Sequence, residues 1–316
     1  LATGNSVVLK PAEQSPFTAL KFGELAIEAG LPAGVLNVVP GLGHIAGKAL
    51  GLHMDVDCVG FTGSTEVGKY FMQYSGQSNI KRIGLELGGK SPQVVLADCD
   101  DLDAAAAGVA AGIFANTGQV CNAGSRLIVD EKVRDALFEK IAAHARSFTP
   151  GDPLDATTRM GSMVTEEQMD RVLGYIDAGR AEGATTLIGG SRVRVETGGF
   201  YIEPTIFDRV RNDMTIAREE IFGPVLSAIT VKGFDEAMEV ANDTIYGLAG
   251  AVWTGSVKNA HRAAKAIKAG VVWVNCFDRG SMAVPFGGFK QSGFGRDKSL
   301  HAMDKYTDLK AMWFAH

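Results

Sequence analysis

Gly34-Val35-Leu36-Asn37-Val38-Val39-Pro40-Gly41-Leu42-Gly43-His44-Ile45-Ala46 decides the fold class. An apolar, β-branched run over 34–39 is halted by proline and glycine, and 41–52 then turns into a helix. Upstream, residues 6–9 read as a buried strand ended by Lys10-Pro11. Ser15-Pro16 reads as an N-cap with Pro at the first helical position, opening a helix that runs to Gly30. Downstream, residues 58–61 read as another short strand. Strand, helix, strand, helix, strand predicts a parallel sheet with covering helices, an α/β fold.

The pattern continues along the chain. Residues 81–87 read as a strand stopped by Gly88-Gly89, and 91–97 as a further strand. The small-residue run 101–114 reads as a helix, with Gly118 as its expected C-terminal stop. Strands are expected at 126–129, 187–190, 225–231, 249–253 and 270–275, with an extended stretch over 200–210. Helices are expected at 133–148, 234–242 and 257–268, and Thr165 is the expected cap of one running to Glu182. Residues 306–313 read as a terminal strand.

At 316 residues the chain can hold two domains and a sizeable core. A net charge of −5, with no block of five like charges, argues against nucleic-acid or membrane-surface partners. No apolar run approaches membrane-spanning length. Cys58, Cys99, Cys121 and Cys276 form no CxxC pair, and no two histidines have metal-ligand spacing on one helix face. No metal is therefore expected, and the cysteine usage fits a reducing, cytoplasmic compartment.

Three features carry candidate chemistry. Cys121 lies in Asn116-Thr117-Gly118-Gln119-Val120-Cys121-Asn122-Ala123-Gly124-Ser125-Arg126, a loop between a helix and a strand. Flanking glycines let backbone or ligand come close, so this thiol is either a nucleophile or a buried packing residue. Glu86 alternates with Leu85 and Leu87 in a segment ready for burial. It is either part of a structural salt bridge or a tuned acid–base group. Two glycine patterns compete as phosphate sites. Gly41-Leu42-Gly43-His44-Ile45-Ala46 fits the G-x-G-x-x-G/A fingerprint, whereas Phe61-Thr62-Gly63-Ser64 offers helix N-terminal amides without fitting it.

Taken together, these residues resemble the aldehyde dehydrogenase superfamily. The motifs are Gly4-Asn5, Lys10-Pro11-Ala12-Glu13, Phe61-Thr62-Gly63-Ser64, Glu86-Leu87-Gly88-Gly89-Lys90 and Gly118-Gln119-Val120-Cys121. Glu220-Ile221-Phe222-Gly223-Pro224 and Pro285-Phe286-Gly287-Gly288 complete the set, in order along the whole chain. The run 290–301 is similar to the gamma-glutamyl-gamma-aminobutyraldehyde dehydrogenases of polyamine breakdown. The resemblance implies an incomplete parallel-sheet dinucleotide-binding domain (1–88), an α/β catalytic domain (89–284) and a return loop with an oligomerisation strand (285–316).

The resemblance also implies roles. Cys121 would be the nucleophile and Glu86 the general base. Lys10 and Glu13 would hold the adenosine ribose. Gly63 and Ser64 would face the pyrophosphate, leaving Gly43 a supporting contact, and Phe61 and Val67 are carried over as further cofactor contacts. Leu87 and Gly88 would meet the nicotinamide, Glu220 its ribose, and Phe222 would lie beside the ring. Gln168 is carried over as a further cofactor contact, and Asn275 as support for the catalytic loop. The implied cofactor is NAD, with NADP as the alternative; Glu13 near the ribose disfavours a 2′-phosphate. The implied partners are a small aldehyde and further copies of the chain in a homodimer or homotetramer.

The chemistry expected is aldehyde oxidation through a Cys121 thiohemiacetal and thioester, the latter hydrolysed by Glu86-activated water. Sulfur suits both halves, although a thiol following a helix C-terminus must be activated by other groups. A thiol hydrolase would need a partnered His, and a CoA-acylating dehydrogenase would pass the same thioester to a thiol. An inactive homologue would have no need of both Cys121 and Glu86. The family's oxyanion-hole asparagine lies in a motif upstream of the position where Leu1 falls. The expectation is therefore a fragment that binds dinucleotide poorly on its own.

Overall fold

The computed structural model describes all 316 residues. They form two units: Leu1–Glu86 with Ser281–Phe286 and Phe294–His316, and Leu87–Gly280 with Gly287–Gly293. In the first, β1 (Val7–Leu9) and β2 (Leu36–Val38) pair in parallel around α1 (Phe17–Glu28). After α2 (Lys48–Leu52), β3 (Cys58–Thr62), α3 (Thr65–Gln77) and β4 (Arg82–Glu86) form a β-α-β unit, its strands parallel from Cys58↔Arg82 to Thr62↔Glu86.

The second unit holds β5 (Pro92–Val95), α4 (Leu102–Phe114), β6 (Arg126–Asp130), α5 (Arg134–Ala145) and α6 (Glu166–Ala181). Next come β7 (Thr185–Ile188), β8 (Arg192–Val193), β9 (Tyr201–Ile202), β10 (Thr205–Asp208) and α7 (Thr215–Arg218). It ends with β11 (Val225–Val231), α8 (Gly233–Asn242), β12 (Ala249–Trp253), α9 (Val257–Ala266) and β13 (Val271–Val274). Seven strands lie in the order β13-β12-β5-β6-β11-β10-β7, with only β7 antiparallel.

Successive side chains of a strand face opposite sides, so the sheet divides the core in two. Val94 and Ile128 pack with α6, α8 and α9, while Val95, Leu127 and Val129 pack with α4 and α5. Both faces are covered, which is why these strands read as unbroken apolar runs. The register Pro92↔Arg126 and Ser227↔Arg126 has a consequence for function. It sets the segments before β5, β6 and β11 side by side at the amino ends of the strands, and those segments hold Gly88–Gly89, Cys121 and Glu220.

Four expectations are corrected. Ser15 makes no capping bond; Pro16 already has helical dihedrals and flanks α1 directly. α4 stops at Ala115 rather than at Gly118: Ala115 already leaves the helix (ψ 141°), and the left-handed Asn116 (φ 49°), Thr117 (φ 56°) and Gly118 (φ 68°) that follow keep the chain out of it. β1 is only partly covered, Val8 being 47% exposed, since β2 is its sole ladder partner. Residues 306–313 form no strand: a 3₁₀ turn over Leu300–Tyr306 runs into a tail that joins no ladder, with Arg82 donating to the Thr307 carbonyl. A ladder needs a neighbouring edge, and no strand of this chain supplies one there.

Candidate active site

Cys121 occupies the corner of a tight turn closed by the Ala123 N–H donating to the Val120 carbonyl at 3.0 Å. Gly124 anchors the turn to α4 by donating to the Gly112 carbonyl at 2.9 Å. Gln119 fixes the other side, its Oε1 accepting from the Val164 N–H at 3.2 Å. The thiol is half-buried, and none of the four cysteines is in a disulfide. Gly89 runs against this turn so closely that a Cβ there would overlap the Cys121 carbonyl. This close backbone approach is what requires glycine.

Two further loops complete the cluster in the second unit. Glu220 is mostly buried, and its Oε1 accepts from the Gly89 N–H at 3.1 Å. Burial pushes its carboxyl upward, against the opposing pull of that N–H and of Lys90. A Cβ at Gly88 would meet the Glu220 carboxylate, which would have to swing aside, whereas the clash at Gly89 is with backbone. Phe222 has a left-handed backbone (φ 57°) and an exposed ring. Gln168 stabilises that conformation, its Nε2 donating to the carbonyls of Ile221 and Phe222 at 3.0 Å each. Leu87 is buried, and its N–H donates to the Ser292 carbonyl at 3.0 Å.

In the first unit Glu86 ends β4. It is 7% exposed, and neither carboxylate oxygen has a hydrogen-bond partner. Burial first, then repulsion from Asp297, push its pKa up to about 7, against Lys305 and Arg296. Its backbone carbonyl accepts from the Gly63 N–H at 3.1 Å, which ties Glu86 to the β3–α3 turn. In that turn the Ser64 hydroxyl caps α3 by accepting from the Val67 N–H at 3.2 Å. The Phe61 ring packs on Phe71, with centroids 4.6 Å apart.

Lys10, Glu13 and Gly43 form a second cluster in this unit. Lys10 pairs with Glu13 at 3.3 Å, and the Gly43 N–H donates to the same carboxylate. Glu13 is held below the usual carboxylate range, first by its own backbone N–H and then by Gly43 and Lys10. The Gly41 fingerprint therefore turns its second glycine toward a side chain, and the segment after it opens as a π-turn over Gly43–Gly47.

Sequence reasoning missed several participants. The side chain bonded to the Cys121 turn is Asp278, whose Oδ1 accepts from Asn122 Nδ2 at 2.8 Å. Asn275 instead makes reciprocal bonds to the Thr254 backbone, both at 2.9 Å. Lys90 and Arg126 are fully buried beside the loop cluster. A charged residue opening each of two apolar strands was the signal that could have revealed them.

The aldehyde dehydrogenase family model matches residues 1–312. An aminoacetaldehyde dehydrogenase of Pseudomonas aeruginosa is 49% identical over 314 residues, covering 99% of this chain and 62% of that protein. The solved indole-3-acetaldehyde dehydrogenase in complex with NAD+ superposes with a TM-score of 0.98 at 57% identity, covering 99% of this chain and 63% of that one. The solved gamma-glutamyl-gamma-aminobutyraldehyde dehydrogenase of Burkholderia cenocepacia gives 0.96 at 60% identity, covering 98% and 62%. The chain thus spans a little over three-fifths of the length of the relatives it matches. With the motifs, the fold and the match in agreement, the chain belongs to the aldehyde dehydrogenase family.

Proposed function

We propose that this chain serves the NAD-linked oxidation of an aldehyde, of the amino- or gamma-glutamylamino- class, to its carboxylic acid. The observation that carries this reading is Glu86: a buried carboxylate without a hydrogen-bond partner and with a pKa of about 7. A group so poised is half-deprotonated near neutral pH, the best compromise for a general base. The names of the relatives support the substrate class.

The residues present fit a dinucleotide. Lys10 and Glu13 form a charged pair at one end of the first unit, and the Ser64-capped terminus of α3 offers amides for a pyrophosphate. Glu13 repels a 2′-phosphate, favouring NAD over NADP. Leu87, Gly88, Glu220 and Phe222 would take the nicotinamide end, with Gln168 positioning Phe222. When bound, the nicotinamide supplies the acceptor for the hydride that leaves the substrate carbon.

The Cys121 thiolate adds to the aldehyde carbon and forms a thiohemiacetal. Loss of hydride from that carbon leaves a thioester on Sγ. Glu86 takes a proton from water as the water oxygen adds to the thioester carbon. The C–S bond then breaks, releasing the acid and restoring the thiolate. Asn122 and Asp278 hold the turn while this happens. A cytoplasmic homodimer or homotetramer belongs to the same proposal.

The test is reduced-cofactor absorbance with an aminoaldehyde, with and without CoA, on a polypeptide of the relatives' full length. Turnover that does not need CoA is the expected result. Turnover only with CoA would replace hydrolysis by acyl transfer, and no reduced cofactor at all would remove the oxidation itself.

A further inference from the structure

The second unit buries positive charge that none of the roles above explains. Lys90 is 1% exposed, and its Nζ has no hydrogen-bond partner. Ser91, also 1% exposed, has an unpartnered Oγ. Both line one narrow cleft with Asn242, Thr244, Tyr246 and Lys268. Arg126, fully buried, is close enough to Lys90 to depress its protonation.

The neighbouring carbonyls are already engaged. Arg126 donates to the carbonyls of Lys90, Val240 and Ala241 at 3.1, 3.1 and 2.9 Å, and to Asn212 Oδ1 at 3.2 Å. Lys290 Nζ donates to the carbonyls of Asn242 and Thr244 at 2.8 and 3.0 Å. The nearby carboxylates are engaged as well. Glu220 accepts from the Gly89 N–H, Glu219 from the Tyr175 hydroxyl at 2.7 Å, and Asp243 from Asn212 at 2.7 Å. Glu219, Glu220 and Asp243 lend an opposing field from a distance, but no carboxylate oxygen forms an ion pair with Lys90 Nζ, and a buried ammonium without a direct partner is costly.

We propose that Lys90 and Ser91 form a binding site for a single monatomic, monovalent anion, chloride in ordinary buffers. The anion accepts from the Lys90 ammonium and the Ser91 hydroxyl. The cleft is narrow, suited to a species of about one water's size, which excludes phosphate. Arg126, Lys268 and Lys290 add favourable field from three other segments, and Glu219, Glu220 and Asp243 oppose it. Burial, then Arg126, push the Lys90 ammonium down to about 7, so the bare site loses its charge as pH rises. Burial raises the Tyr246 phenol, which stays neutral over the same range. Anion binding therefore strengthens as pH falls through about 7.

The experiment compares thermal unfolding in sodium chloride and in sodium gluconate at equal ionic strength, on either side of about pH 7. Crystals grown in sodium bromide are measured for anomalous scattering. The expected result is a chloride-specific rise in Tm on the acid side and a bromide peak beside Nζ. At about a hundred times the dissociation constant, chloride should raise the folded-to-unfolded ratio about a hundredfold. Lys90→Met should abolish the chloride dependence. If that variant does not fold, Ser91→Ala should weaken it, and the bromide peak stands by itself. Equal Tm in the two salts with no bromide peak, meaning a neutral amine and water only, overturns the proposal. Chloride dependence that survives Lys90→Met with no peak at Nζ overturns it equally.

Discussion

Replacing Glu86 by Gln tests the base and its energetic cost together. The carboxyl has a reference pKa of 4.5 and a folded value of about 7. Because the folded value is the higher one, the folded state binds the proton more tightly. Glu86 therefore contributes stability that is fully present below pH 4.5 and is lost as pH rises to about 7. At about 1.4 kcal/mol per pH unit, the loss across that window comes to about 3 kcal/mol. Glu86→Gln cannot ionise and should lack this fall. Above about pH 7 it should be more stable than the parent by roughly the same amount, about 3 kcal/mol. Urea denaturation of both proteins across the window measures it. In a full-length parent, the same variant should keep the acylation burst and lose ~10²–10⁴-fold in steady-state turnover. Superimposable pH–stability curves for the two proteins would refute the raised pKa. Unchanged turnover would refute the assignment as base.

Three further outcomes follow from the geometry. An electrophilic aldehyde mimic should label Cys121 ahead of Cys58 and Cys99, whose thiols burial pushes up; peptide mapping that finds another cysteine labelled first removes the nucleophile. Gly89→Ala places a methyl on the Cys121 carbonyl, so the turn must shift. Turnover should fall ~10²-fold, and a variant with parental kinetics would show that the close contact is unimportant. Glu13→Gln removes the charge facing Lys10 and Gly43, so Kd for NADP should fall relative to Kd for NAD; a titration with both cofactors that finds the ratio unchanged counts against a ribose contact.

Local pattern was enough for most of the elements. β11 and β12 match their expected spans, because an apolar run between turn residues has one good local conformation. Thr165 is the cap expected of it, since a side-chain oxygen reaching an amide three residues on needs only local chain. Residues 101–114 announced their helix, and the glycines around Cys121 announced a loop where backbones crowd.

Contacts distant in sequence decided the rest. The pairing order β13-β12-β5-β6-β11-β10-β7 is not written in any single segment, and it alone brings the loops of Gly89, Cys121 and Glu220 together. α4 leaves the helix at Ala115, and three successive left-handed residues follow, where Gly118 fits because a Cβ would overlap the Gly223 carbonyl. Glu86 read equally well as an ion-pair member or a tuned acid; only its burial and the nearby Asp297 charge, 211 residues further on, raise its pKa. The full burial of Lys90 and Arg126 was likewise decided only by packing. Desolvation is a property of everything packed around a group, and a linear pattern records only its neighbours along the chain.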